Sequence, residues 1–163
     1  MIVVSDTTAI STLLQIGEIE LLKKLFSNVA IPRKVFDELR VLSKMGVDVS
    51  PLLKAEWLEI RSPNNSPLLS LLNNLLDEGE ANAIALAVEL KADLLIMDES
   101  EGRQVAGSMN LTYTGLGGIF IRAKSAGLIP SVEKMLDTVA QKTSFYLSEK
   151  ARNIILRAAA EAS

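Results

Sequence analysis

The chain has 163 residues, 17 basic and 20 acidic, giving a formal net charge of −3, and it contains neither histidine nor cysteine. Disulfides, thiolate and imidazole metal sites and serine-type triads are therefore excluded. Chemistry must run on carboxylates, hydroxyls, Lys or Arg, or on a hard cation held by oxygen.

A hydrophobic content of 48% is enough to bury the core of one domain spanning residues 1–163. Apolar runs are expected to form strands at 2–5, about 28–31, 57–61, 93–97 and 110–113. They are continuous rather than alternating, which suits a parallel sheet covered on both faces. Helical patterns lie between them, near 7–15, 18–26, 32–43, 67–76, 79–91, 100–108 and 115–126. The alternation predicts an α/β fold with a parallel sheet of about five strands over 1–128. A wholly helical tail is expected at 130–162, while KMGVDVSP (44–51) and SPNNSP (62–67) read as loops. No run approaches the roughly 18 apolar residues of a membrane span, and no targeting pattern opens the chain, so a cytoplasmic protein is expected.

Four acids stand out by position. Asp6 follows the first strand in MIVVSDTT, and Asp98 follows the fourth in LLIMDES. Both would lie on the carboxyl edge of the sheet, where ligands of open parallel sheets bind. Glu80 opens a helix, in DEGEANAIALA, so apolar that it must be buried. Glu38 borders the apolar stripe of PRKVFDELRVLS, with Val35, Leu39 and Leu42 facing inward. Each acid also has a plainer role. Asp6 and Asp98 suit helix N-caps. Asp77 and Glu80 have capping-box spacing, and Glu38 suits a solvated helix face. Glu99 is expected to be exposed. Arg103 is either a surface residue or a phosphate contact.

In this order and context, VVSDTT, VFDEL, GEANAIALA and ADLLIMDES, followed by TGLGG, resemble PIN domains, and more narrowly the branch related to VapC-type toxins. The likeness is closest over residues 1–128; the tail, with TSFYLSEKARNIIL, fits more loosely. It implies a three-layer fold and a metal-dependent ribonuclease, with Asp6, Glu38, Glu80 and Asp98 as the acidic cluster. Thr7, Thr8, Ser100 and Arg103 would lie behind these acids or on a phosphate. Glu80 stands where many relatives have Asp. Met97 and Glu99 flank Asp98 where many toxins carry a polar residue or Asp.

An all-oxygen set suits Mg²⁺ or Mn²⁺. Four neighbouring carboxylates need a cation or must take up protons. RNA would be the substrate and a small antitoxin the partner. Backbone contacts would come from Arg33, Lys34, Arg40 and Arg103; the composition suggests no base-stacking platform. Val132, Met135, Leu136 and Val139 either pack on the core or, with Ile154, Ile155 and Leu156, serve a second copy or the antitoxin. A non-catalytic module that binds RNA or protein is the competing reading. A phosphohydrolase using Asp6 as nucleophile fits less well, because it wants a second acid where Thr8 stands.

Overall fold

The computed structural model describes residues 1–162. Five parallel strands, β1 (Val3–Ser5), β2 (Val29–Ile31), β3 (Leu58–Ile60), β4 (Leu94–Ile96) and β5 (Tyr113–Thr114), lie in the order β3-β2-β1-β4-β5. The three inner strands are buried at every position, whereas β3 and β5, at the edges, are partly exposed. Apolar runs buried on both faces are what a covered parallel sheet demands.

Side-chain alternation splits these strands between two cores. Val3, Val29, Ile31, Leu94 and Ile96 face a larger core built with α1 (Thr7–Gln15), α2 (Glu20–Phe26), α3 (Arg33–Arg40) and α8 (Leu116–Ser125). Val4, Ala30, Leu95 and Met97 face a smaller one closed by α5 (Pro67–Leu75), α6 (Glu78–Leu90) and α7 (Ser100–Ser108). The result is three layers, as expected. The expected loop at 44–51 holds the end of a 3-10 turn (Val41–Met45) and the start of α4 (Ser50–Leu53). Pro51 suits the first turn of such a helix.

The chain direction across the sheet reverses at β1. From β1 the chain steps outward to β2 and β3, then returns to lay β4 on the other side of β1. This switch point opens a crevice at the carboxyl ends of β1 and β4. Val3, Val4 and Ser5 are in register with Leu94, Leu95 and Ile96, and the Asp6 N–H donates to the Ile96 carbonyl at 2.9 Å. Residues leaving the two strands therefore emerge side by side.

The tail forms α9 (Val132–Lys142) and α10 (Glu149–Ala158), joined by a non-helical segment at 143–148 that the sequence pattern does not show. Val132, Leu136, Val139 and Leu156 pack into the larger core. Glu161 latches the tail. Its carboxylate accepts from the N–H groups of Val132 (2.7 Å) and Glu133 (2.9 Å), from Ser131 Oγ (3.0 Å) and from Lys124 Nζ (2.9 Å). The first N–H groups of a helix have no partner within it, and a carboxylate there also meets the positive end of the helix dipole. Partial desolvation opposes the charge, but these donors outweigh it and pull the Glu161 carboxyl down to about 2. A depressed carboxyl contributes stability that is present above its unfolded value and lost as pH falls through the folded one. Glu161→Gln should therefore lower stability at pH 7 by about 1 kcal/mol, typical of a lost cap. The difference from the parent should shrink between about pH 5 and pH 2, as followed by urea denaturation at several pH values.

Candidate metal centre

Three elements deliver acids to the crevice. Asp6 leaves β1 and precedes α1, and is buried. Glu80 sits in the first turn of α6 and is also buried. Glu99 lies in the turn between β4 and α7 and is half-buried. One carboxylate oxygen from each lies within 4.8 Å of the other two.

The local chemistry explains each position. Asp77 caps α6, its Oδ1 accepting from the Glu80 N–H at 2.9 Å, which fixes where the helix begins. The capping reading of Asp77 thus holds, and the Glu80 side chain, itself in contact with the Asp77 carboxylate, reaches the crevice beside Asp6 and Glu99. Small residues such as Ala81, Ala83, Ala85 and Ala87 let α6 pack closely and bury that first turn. Thr8 Oγ1 donates to Glu99 Oε1, while Glu99 Oε2 is buried with no hydrogen-bond partner among the described residues.

Glu38, on α3, stands at the crevice mouth as the most exposed of these acids, with Oε2 accepting from Thr7 Oγ1 at 2.7 Å. Its place depends on Gly79. A Cβ built there would fall 2.5 Å from Glu38 Oε1, so α6 presents a bare backbone to this side chain. Within a helix, glycine costs about 1 kcal/mol relative to alanine.

Asp98 takes a different course. Its Oδ1 accepts from the Leu116 N–H at the start of α8 at 3.0 Å and lies 4.0 Å from the Arg103 guanidinium. Gly115 makes room, because a Cβ there would collide with both Arg103 and Asp98. Asp98 is thus a cap, but for α8 rather than for the helix that follows it. The three-carboxylate group contains Asp6, Glu80 and Glu99, without Asp98 or Glu38. Of the two acids ending LLIMDES, the expected surface residue Glu99 is the one that joins the group. Ser100 opens α7 and is exposed.

Burial and mutual repulsion dominate the electrostatics. Two carboxylates this close repel by about 3 kcal/mol at an effective dielectric near 20. Desolvation, then Glu99, Glu80 and Asp77, raise Asp6 well above the usual carboxylate range against the pull of the Thr7 N–H. Desolvation and Asp77, with smaller contributions from Glu99 and Glu101, push Glu80 up to about 7. Desolvation lifts Asp98 to about 6 although Leu116 and Arg103 oppose it, and Glu38 is raised by desolvation and nearby acids. A hard divalent cation fits this set. Every donor is an oxygen, the charges need a counter-ion, and Glu99 Oε2 lacks a partner among the described residues.

The fold and site together define an α/β protein with an acidic crevice suited to a divalent cation. The family model DUF3368, described as a PIN domain, matches residues 2–161, and the chain belongs to the PIN-domain family. Among solved structures it is similar to a PilT N-terminus domain protein from the hyperthermophilic archaeon Sulfolobus solfataricus P2. The identity is 17% and the TM-score 0.48, covering 91% of this chain and 99% of that one. No curated protein matches it by sequence.

Carboxyls raised by folding contribute stability below their unfolded values and lose it as pH rises through the folded ones. For these groups the metal-free protein should weaken between about pH 4 and pH 7. Mg²⁺ or Mn²⁺ should then raise the melting temperature more at pH 8 than at pH 5, with EDTA reversing the gain; an equal gain at both would contradict the assignment. Gly79→Ala should keep or raise the metal-free melting temperature, because helix propensity gains while Glu38 swings aside. Mn²⁺ titration calorimetry of the same variant will show whether Glu38 contributes to the site, by a loss of affinity.

Proposed function

We propose that this protein is a Mg²⁺- or Mn²⁺-dependent ribonuclease of the VapC-like kind, acting as the toxin of a toxin–antitoxin pair. The observation that carries the reading is the convergence of Asp6, Glu80 and Glu99 from three elements at the sheet's switch point, where the buried Glu99 Oε2 and the neighbouring Asp98 Oδ2 have no hydrogen-bond partner among the described residues. Membership of a family that is generally nucleolytic supports it. Single-stranded or loop RNA is the substrate class, and a small protein encoded beside this gene is the partner.

Asp6, Glu80 and Glu99 would hold a divalent cation, which would supply Lewis-acid activation of a phosphodiester and of a bound water. Burial raises both Asp6 and Glu80, Glu80 to about 7, so a binding cation would displace protons from them and be held more tightly as pH rises. Thr8 orients Glu99 through its hydroxyl, and Thr7 does the same for Glu38. Glu38, raised and at the crevice mouth, is placed to accept a proton from the attacking water and is the residue in this set that solvent reaches most readily. Asp98 fixes the turn before α8 and with it the wall beside the site.

Cleavage of a mixed single-stranded RNA pool should require Mg²⁺ or Mn²⁺ and stop in EDTA. Asp6→Asn and Glu99→Gln should each cut activity by at least about 100-fold. Asp98→Asn, which keeps an oxygen for the Leu116 N–H, should cost less. If the folded, antitoxin-free protein cuts no RNA under these conditions, the non-catalytic binding module becomes the better account.

A further inference from the structure

Beside the acidic crevice lies a second cleft of about 530 Å³, between β5, the start of α8, the 143–148 segment and α10. That volume is in the range of about 300–1,000 Å³ typical of small-ligand sites. Both tyrosines of the chain line it. Tyr146 is 82% exposed and Tyr113 41% exposed. Phe145 lines the same cleft. The composition suggested no base-stacking platform, because so few aromatic residues looked exposed; the fold gathers the exposed ones at one place.

The cleft is also charged, and it neighbours the candidate metal centre through Asp98, which lines it and precedes Glu99 in the chain. Arg103 lines it, its guanidinium 5.3 Å from the centroid of the Tyr113 ring. Arg103 Nε is held by the Met97 carbonyl at 2.7 Å, and the side chain remains about one-third exposed. This anchors the group at the cleft wall, with one terminal nitrogen 4.0 Å from Asp98 Oδ1. The end of β5 and the start of α8 also line the cleft, through Thr114, Gly115, Gly117 and Gly118, and Gly117 lets Ile155 of α10 pack close against α8.

Aromatic faces beside an arginine, next to a centre that handles phosphodiesters, match one chemistry. Bases stack on tyrosine rings and guanidinium groups bind phosphate oxygens. We infer that this cleft is a nucleotide subsite of the proposed ribonuclease. It stacks one unpaired base of single-stranded RNA against Tyr146 and Tyr113, and Arg103 contacts the adjoining phosphate. The inference rests on the nuclease reading for the identity of the ligand. Base stacking is tolerant of sequence, so the subsite positions the strand and favours unpaired over paired RNA.

The test uses a short single-stranded RNA carrying the fluorescent base 2-aminopurine, titrated with full-length protein in EDTA so that binding is read without cutting. Wild-type protein should bind and change the fluorescence. Tyr146→Ala and Tyr113→Ala should each weaken binding roughly 5- to 100-fold, the loss expected for one stacked base. Tyr146→Phe should retain it. Tyr146→Ala should leave the melting temperature and Mn²⁺ affinity unchanged, since its side chain is mostly in solvent. Binding unaffected by both alanine variants, or no RNA binding at all, would overturn the inference. So would a dimer in sedimentation that Tyr146→Ala dissolves, since a second copy would then fill the cleft. RNA bound through Tyr146 but not cut when Mn²⁺ is added would keep the subsite and remove the nuclease.

Discussion

The repulsion among Asp6, Glu80 and Glu99 is the interaction around which the architecture is arranged. Left alone, three carboxylates within 4.8 Å favour separation or protonation. The fold denies them separation. The register of β1 against β4 fixes Asp6 and the β4–α7 turn, and the Asp77 cap fixes the first turn of α6. Burying α6 among its neighbours prevents that turn from backing away. The energy is carried by packing elsewhere, and it is held at a place where a cation would release it.

Around this centre, hydroxyls and glycines set positions that charges alone would not. Thr7 and Thr8 are consecutive at the start of α1, yet each serves a different acid from a different element. Gly79 and Gly115 act by what they lack, one admitting Glu38 and the other admitting Asp98 with Arg103. Small and uncharged residues thus decide which carboxylate points where.

Much of this was legible in the sequence. The continuous apolar runs led to the five strands and the three layers, and the acids following the first and fourth strands led to the right edge of the sheet. That Glu99, rather than Asp98, falls within the three-carboxylate group was not legible. Two adjacent acids after a strand differ in which partner each meets, and the partner that claims Asp98 is the Leu116 N–H, 18 residues further on. No local period encodes that meeting. The same holds for Tyr113 and Tyr146, which come together only because the tail folds back over α8 and β5. The break at 143–148 escaped notice because its polar and apolar residues fit a helix nearly as well as a connection.

The pairing of β1 with β4 also governs time. Val3 meets Leu94 across some ninety positions of chain, and such distant contacts form late because the intervening loop must first be closed. The three carboxylates therefore become neighbours only when the sheet is nearly whole. A cation that recognises their assembly has nothing to hold in the early chain and cannot hasten folding. Its effect falls on escape from the finished state, so the loaded protein would reach its fold no faster but leave it more slowly.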